Sequence, residues 1–444
     1  MKCPDDHDCH VDITSDSSSS NKVVETPRFL QAIRNQVRMV VSDLESTIPD
    51  DHPVRLIWSF VAAQDLTPLY DSINAVEGGA GRSPIDPRIL MALWLYATTR
   101  GIGSAREIDR QCRENIVYQW ICGEVSVNYH TLSDFRKDHA EVLNKILTLQ
   151  VATLVHEGLV DLDEVSIDGV RIRAHAGSSS FHRRKTLESC LAEAHKKVEE
   201  LAQEVDSDSK AVSQRVQSAR RRAVREREER LKSALERMTE LEAKKNDLDA
   251  EKLRASSTDP DATKMRMGDG GFRPAYNIEI VADTRSKIIL GLDVIRKGTD
   301  RDQFKPMIDQ LLARYGRYPL RGLVDAGFRK AEDLDLLAQT PYGIEVYCPV
   351  YQPKNSKRDP YLPLPTDSAL TAALRIRMGT PEGREIYKRR ASTSELDNGR
   401  VRNHGLYQLL VRGVSKAIAV ILWHAIAINI SETNRLRKAR MAIS

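Results

Sequence analysis

The chain has 444 residues, more than one ordinary hydrophobic core accommodates, so two or three domains are expected. Hydrophobic residues make up 41% and charged residues 29%, a balance that fits a soluble globular protein with solvated helical extensions. The formal net charge is only +4, but arginines cluster at 215–230, 384–402 and 435–440. Such local basic patches attract phosphate whatever the net charge is.

The composition also argues against a disulfide-stabilised or membrane protein. Six cysteines, at positions 3, 9, 112, 122, 190 and 348, are too scattered for a disulfide framework and fit a reducing cytosol. The N-terminus lacks the apolar segment of a signal peptide. The longest apolar run, 417–430, is too short to span a bilayer and is interrupted by His424, so it predicts a buried helix.

The N-terminal part of the chain divides into a polar tail and a helical region. Residues 1–27 are predicted to be disordered because they are polar and rich in serine. Between 28 and 160 the spacing of apolar residues is helical, Ser104 is a predicted N-cap, and a helix opening after Asn128 is predicted to run to about 157. We predict a helical N-terminal domain that binds DNA, although the pattern fits any all-α domain equally well.

A strand is predicted at 164–174, and a long charged insertion at about 182–254 follows it. Apolar residues recur in the insertion at alternating steps of four and three, which is the pattern of a coiled coil. These residues are 187, 191, 194, 198, 201 and 205 before a Ser-Asp-Ser break at 207–209, and 231, 235, 238 and 241 after it. We predict an antiparallel coiled-coil hairpin. Its arginines form either a solvated face or a contact with the DNA backbone or a second subunit.

Strands and helices alternate in the rest of the chain. Strands are predicted at 275–282, 287–295, 321–325 and 343–348, with helices at 302–315 and 330–339 between them. The alternation predicts an α/β domain with a partly parallel, mixed sheet over 161–430. A basic tail at 431–444 follows this domain.

Three carboxylates stand out because of their settings. Asp168 follows the apolar run 164–167, Asp325 follows 321–324, and Glu395 comes after a basic cluster and is predicted to open a helix. Carboxylates at strand ends hold pairs of Mg²⁺ ions, which support in-line attack at phosphate. For any single Asp at a strand end, a turn or capping role is the common alternative.

These segments resemble the DDE transposases of bacterial insertion sequences, whose catalytic domain is RNase H-like. The resemblance is carried by Ser166–Ala174 around the first Asp, by Tyr276–Glu279 and by Val324–Phe328 around the second Asp. It extends to a signature of Tyr387, Arg390, Glu395 and Arg402, and residues 84–136 are similar to the helical N-terminal domain of the group.

The resemblance implies a reaction and a set of site residues. Asp168, Asp325 and Glu395 would be the catalytic metal ligands for two Mg²⁺ ions, for which Mn²⁺ substitutes. The expected reaction is cleavage at transposon ends and transfer of the 3′-hydroxyl to target DNA. The residues expected to contact DNA near the scissile phosphate are Tyr387, Arg389, Arg390 and Arg402.

The resemblance also implies partners and a location. The expected partner is double-stranded DNA, both the terminal inverted repeats of a transposon and the target. A homodimer or larger assembly on DNA is expected because two ends must be cut and joined together. No membrane association is expected, and the expected location is the bacterial cytoplasm, at the nucleoid.

The chain departs from the group in ways that leave alternatives open. Arg402 replaces the usual Lys, which keeps the charge but changes its geometry. The segment 396–399 lacks an aromatic pair that is common in the group, so Glu385 is the alternative third acid. The alternative functions are a catalytically inactive DNA-binding or regulatory relative, and a metal-dependent DNA nuclease of the same fold.

Overall fold

The computed structural model describes residues 37, 41–73, 83–203, 211–243, 252–328, 330–339, 341–352 and 357–443. The predicted disordered tail 1–27 and the predicted break at 207–209 lie outside these residues. The chain divides into the units Met1–Asp43 and Leu44–Ser444, and the second unit is described below.

The described helices alternate with strands only after residue 160. The helices are α1 (Pro53–Ala62), α2 (Thr67–Asp71), α3 (Pro87–Thr99), α4 (Ala105–Glu114), α5 (Ile116–Cys122), α6 (Tyr129–Asp138), α7 (Ala140–His156), α8 (Arg184–Gln203), α9 (Ala211–Glu242), α10 (Phe304–Tyr315), α11 (Ala331–Ala338), α12 (Ala369–Gly379), α13 (Pro381–Asn403) and α14 (Val414–Ile443). The strands are β1 (Glu164–Arg173), β2 (Phe181–His182), β3 (Ala255–Ser256), β4 (Thr263–Arg266), β5 (Phe272–Asp283), β6 (Ile289–Ile295), β7 (Arg321–Val324) and β8 (Glu345–Tyr347).

Side-chain caps mark the start of two N-terminal helices, α4 and α6. Ser104 accepts a hydrogen bond from the backbone of Glu107, as predicted, and Asn128 caps α6 in the same way. The single helix predicted from 128 to 157 is wrong, because α6 ends at Asp138 and α7 begins at Ala140. The break coincides with a long-range contact: the indole of Trp423 donates to the carbonyl of Arg136 in the last turn of α6.

The strands form a mixed sheet in the order β6, β5, β1, β7, β8. The partners β7 and β8 run parallel to β1, whereas β5 runs antiparallel to it. Strands β6 and β4 pair with the other edge of β5. This is the predicted α/β architecture, an RNase H-like mixed sheet preceded by helices.

Each side of β1 faces a different layer because side chains alternate along a strand. Val165 and Ile167 are fully buried in a core that includes Phe304 of α10. Ser166 and Asp168 point the opposite way and contact α13. The polar residues of β1 therefore meet α13 while its apolar residues anchor the sheet.

The insertion is a pair of antiparallel helices that leaves and re-enters the α/β part of the chain at one place. Arg184 at the start of α8 forms an ion pair with Glu242 at the end of α9, at 2.7 Å. Strands β2 and β3 pair at the base of the two helices. Of the predicted seam residues, positions 187, 191, 194, 231, 235, 238 and 241 lie in the core between the helices. Position 205 lies outside the described residues, and a coiled-coil supercoil stays a prediction.

Helix α14 joins the N-terminal helices to the sheet. It packs against α3, α6, α7 and β6, and the predicted buried run 417–430 lies within it. Asn429 fixes its register on the sheet, since its amide exchanges two 2.8 Å hydrogen bonds with the backbone of Ile289. By length and composition alone, α14 is apolar enough to cross a membrane, but 72% of its most apolar window is buried in the protein's own core. The predicted basic tail from 431 coincides with its last turns, where Arg437 pairs with Glu157 at 2.6 Å.

His424 of α14 gives the fold a specific acid sensitivity. Its side chain is buried, its Nδ1 has no hydrogen-bond partner among the described residues, and burial lowers its pKa to about 3. The unfolded chain binds a proton at this position below about pH 6.5, and the folded chain does not until about pH 3. Folding stability at this site is therefore lost as the pH falls through this window.

We expect His424→Leu to remove this pH-dependent loss of folding stability. The free energy of unfolding of the wild type, relative to the variant, should fall by on the order of 1 kcal/mol per pH unit between about pH 6 and 4. Urea unfolding at several pH values measures the difference, and His130→Leu at an exposed position is the control. Parallel pH profiles for the wild type and His424→Leu would show that His424 does not carry the effect.

Candidate active site

The parallel pairing of β1 and β7 brings Asp168 and Asp325 together. The last paired residues are Ile167 and Val324, so the next residue on each strand is an aspartate. Asp325 follows the end of β7, as predicted. Asp168 does not end a strand, because β1 continues to Arg173 in antiparallel pairing with β5. It stands instead in the middle of β1, level with the end of its parallel partner.

Arg390 of α13 lies between the two aspartates. Its Nη2 donates to Asp168 Oδ1 at 2.9 Å and lies 3.7 Å from Asp325 Oδ2. The side chains of Arg390 and Asp168 are only 16% and 20% exposed, so solvent screens their interaction weakly. One guanidinium thus compensates two neighbouring carboxylates.

Helix α13 presents a polar face to β1 because residues four apart lie on one side of a helix. Arg390, Ser394 and Asn398 have this spacing. Ser394 shares a 3.0 Å hydrogen bond with Ser166, and Asn398 donates to Asp168 Oδ2 at 3.2 Å. Each Asp168 oxygen therefore accepts one hydrogen bond from α13.

Glu395 lies on the same helix but does not touch either aspartate. The prediction that Glu395 opens a helix is wrong, because α13 begins at Pro381 behind the capping hydroxyl of Thr380. Its side chain is exposed, and no hydrogen bond or ion pair joins it to another residue that the structure describes. The alternative acid, Glu385, is also exposed and pairs with Lys388 at 2.7 Å.

The predicted DNA-contacting residues have different surroundings. Tyr387 is half-buried against the core of the sheet, and burial raises the pKa of its hydroxyl to about 12. Arg389 is half-exposed and pairs with Glu164 at 2.8 Å. Arg402 is exposed near the end of α13. Among these residues only Arg390 contacts a predicted metal ligand.

Burial and like charges oppose ionisation in this site. Burial raises the pKa of Asp168, the Arg390 guanidinium lowers it, and the charges of Asp325 and Asp300 raise it again. A nearby cation stabilises the ionised form of such a carboxylate, because it offsets both the loss of hydration and the repulsion from the other carboxylates.

Three residues to which the sequence analysis gave no role also lie here: Asn277, Glu279 and Asp300. The amide of Asn277 donates to Glu279 Oε1 at 2.7 Å and to Asp300 Oδ1 at 2.6 Å. Burial, followed by the charges of Asp300 and Asp168, raises the pKa of Glu279 to about 9. The signal that could have indicated Asn277 and Glu279 was the Tyr276–Glu279 segment, because its polar residues lie on β5, the strand that pairs with β1.

The donor set fits divalent metal ions of the Mg²⁺ type, which prefer carboxylate oxygens. Asp168 and Asp325 already share one cationic group, so a cation between them is electrostatically favourable. In the arrangement described, no three His, Cys, Asp or Glu side chains of the described residues are placed to hold one ion. The aspartate pair alone does not form a complete metal site, which would need further ligands.

Comparison with known protein families agrees with this geometry. Residues 42–138 match the family described as Transposase domain (DUF772), and residues 241–430 match the family described as Transposase DDE domain. The chain thus carries two transposase domains, the second of the DDE type. No curated protein and no solved structure matches it.

The two matches cover different parts of this transposase. The first covers helices α1 to α6, and the second contains Asp325 and the whole of α13 with Glu395. Asp168 lies outside both matched ranges. Its assignment to the site therefore depends on the strand register and on its contacts with Arg390 and Asn398.

Removal of the Arg390 guanidinium should lower the stability of the metal-free protein. We expect Arg390→Gln to lower the free energy of unfolding by about 1 to 3 kcal/mol in the metal-free protein, because two partly buried carboxylates lose their shared cation. Arg389→Gln is the matched control, since the half-exposed pair with Glu164 contributes at most about 1 kcal/mol. Urea unfolding in the presence of EDTA measures the free energies of unfolding of both variants. Equal decreases for Arg390→Gln and Arg389→Gln would show that Arg390 does not bridge the two aspartates.

Proposed function

We propose that this DNA transposase cleaves DNA at the ends of its transposon and transfers the freed 3′-hydroxyl to target DNA by two-metal phosphoryl transfer. The observation that carries the proposal is the pair Asp168 and Asp325, placed side by side by the β1–β7 register and bridged by Arg390. The proposed chemistry needs carboxylates in this relation, close to a group that binds phosphate.

Asp168, Asp325 and Glu395 are the proposed ligands of two Mg²⁺ ions, for which Mn²⁺ substitutes. When bound, such a pair activates the attacking hydroxyl and neutralises charge at the phosphate. Asn398 orients the Asp168 carboxylate, and β1 and β7 fix the backbone of both aspartates. No covalent enzyme intermediate is needed, so no Ser or Tyr nucleophile is assigned.

Glu395 is favoured over Glu385 as the third acid because of its place on α13. It lies three residues before Asn398, and residues at this spacing are neighbours on a helix surface. Since Asn398 touches Asp168, the Glu395 carboxylate starts one helical turn from the site. Glu385 lies five residues before Arg390 and is engaged with Lys388.

Arg390 and Arg402 are the proposed phosphate contacts, and Tyr387 and Arg389 support them. A DNA phosphate near Arg390 draws the guanidinium away from the aspartates, because phosphate is an equally suitable bidentate partner. The carboxylates are then free for the metal ions. Substrate binding and metal binding are coupled in this scheme.

Wider DNA contacts are proposed for the helical N-terminal domain and for the α8–α9 insertion. Along α9, Arg220, Arg222, Arg225 and Arg227 are exposed, and no carboxylate of the described residues forms an ion pair with them. Exposed arginines without a carboxylate partner suit contact with the DNA backbone. We further propose a homodimer or larger assembly on paired transposon ends, in the bacterial cytoplasm at the nucleoid.

Asp325→Ala tests the proposed chemistry. We expect the variant to bind DNA from the transposon ends as tightly as the wild type but to lose Mg²⁺-dependent nicking. The expected loss exceeds the roughly 10- to 100-fold that is typical when a residue only supports a metal ligand. Gel assays of binding and nicking measure the two properties, and Asp269→Ala in the exposed β4–β5 turn is the control.

The outcome for the wild type separates the alternatives. Binding without any cleavage would indicate a regulatory relative, and cleavage without strand transfer would indicate a nuclease. Cleavage by Asp325→Ala at the rate of the wild type would show that the metal site is wrong.

The third acid has its own test. We expect Glu395→Ala to lose nicking to the same extent as Asp325→Ala, while Glu385→Ala keeps nearly wild-type activity because its carboxylate is exposed and already paired. Nicking rates measured over a range of Mn²⁺ concentrations compare the two. The reverse pattern would assign the third ligand to Glu385.

A further inference from the structure

Asp300, in the loop between β6 and α10, brings a further carboxylate to the aspartate pair. The loop is tied to β1 by Arg171, which donates to the carbonyl of Gly298 at 3.0 Å. Arg171 lies three residues beyond Asp168 on the same strand. The position of Asp300 is therefore coupled to that of Asp168 by the sheet itself.

Two glycines locate the Asp300 carboxylate. A Cβ atom added at Gly169 would lie 2.5 Å from Asp300 Oδ1, and one added at Gly327 would lie 2.9 Å from Asp300 Oδ2. The same point at Gly327 lies 2.8 Å from Asp325 Oδ1, so oxygens of Asp300 and Asp325 are within 3 Å of one position. Asp300 thus reaches between the segments that follow the two aspartates.

The charges of this cluster are not balanced. Arg390 is shared by Asp168 and Asp325, and no Lys or Arg of the described residues forms an ion pair with Asp300. Asp302, only two residues away, lies 3.2 Å from Lys330 and 4.0 Å from Lys297. The loop therefore neutralises Asp302 and leaves Asp300 without a cationic partner.

A buried polar atom without a partner points into the same place. Asn277 is fully buried, its Oδ1 has no hydrogen-bond partner among the described residues, and this oxygen lies 3.0 Å from the added Cβ at Gly169. Glu279 is also fully buried, and its carboxyl group interacts with that of Asp300. Native proteins rarely leave such groups unsatisfied unless an ion or water belongs there.

We infer that Asp300 is an additional acidic ligand of the divalent metal ions, beside Asp168 and Asp325, and that Asn277 holds its carboxylate in position. The inference rests on the proposed two-metal function and adds a carboxylate that comes from the β6–α10 loop rather than from α13. Asn277 acts through Asp300 and is a positioning residue.

Mn²⁺ binding to the full chain without DNA tests the inference independently of activity. Electron paramagnetic resonance counts free and bound Mn²⁺ for the wild type, Asp300→Asn and Asp302→Asn. We expect Asp300→Asn to bind Mn²⁺ at least about 10-fold more weakly. Asp302→Asn removes the same charge from the same loop and should bind as the wild type does.

Thermal unfolding separates a ligand from a structural residue. In EDTA, Asp300→Asn should be as stable as the wild type or more stable, because it relieves repulsion among the carboxylates. With Mn²⁺, the wild type should gain stability and Asp300→Asn should gain much less. If Asp300 has only a structural role, Asp300→Asn should unfold in EDTA at a lower midpoint temperature than the wild type.

Two further variants perturb the position of Asp300 while keeping its charge. Gly169→Ala forces the Asp300 carboxylate to move and should weaken Mn²⁺ binding. Asn277→Ser should also weaken it, but should add nothing when combined with Asp300→Asn, since both act on one group.

The failure of this inference is distinguishable from failure of the proposed function. If Asp168→Asn abolishes Mn²⁺ binding and Asp300→Asn binds like Asp302→Asn, Asp300 is not a ligand and the proposed function stands. If the wild type binds no Mn²⁺ either alone or in the presence of transposon-end DNA, or Asp168→Asn binds as the wild type does, the metal site itself is wrong and both proposals fall.

Discussion

Repulsion between two aspartates held side by side is the constraint on which this site depends. The parallel register of β1 and β7 fixes Asp168 and Asp325 next to each other, partly shielded from water. Such a pair requires a positive charge, and Arg390 supplies it in the absence of metal. The polar face of α13 therefore serves the fold and the chemistry together, since the same guanidinium that stabilises the free protein is the proposed phosphate contact.

The rest of the molecule keeps this register rigid. Val165 and Ile167 anchor β1 in one core, while α14 ties the sheet to the N-terminal helices through Asn429 and the indole of Trp423. Helix α14 thus links the part of the protein proposed to bind DNA to the part proposed to cut it.

Local patterns predicted much of this structure, and contacts between distant residues account for what they missed. Periodicity placed most strands and the helices α10 and α11 to within about three residues, and the two aspartates were found because each follows an apolar run. The break after Asp138 was missed, and it coincides with a contact to Trp423, far along the chain. Asn398 and Asp168 are 230 residues apart, so no local pattern pairs them. The true start of α13 was visible in Thr380-Pro381, a cap followed by proline.

The base of the insertion has a consequence for how this protein varies. Since β2 and β3 pair where α8 leaves and where the chain returns after α9, the entry and exit points are adjacent in space. A segment attached in this way adds or loses length without shifting the register of β1 or β5, because its ends need only a short connection. The α8–α9 insertion is thus a module in the evolutionary sense: its length and charge can diverge between relatives while the mixed sheet stays the same.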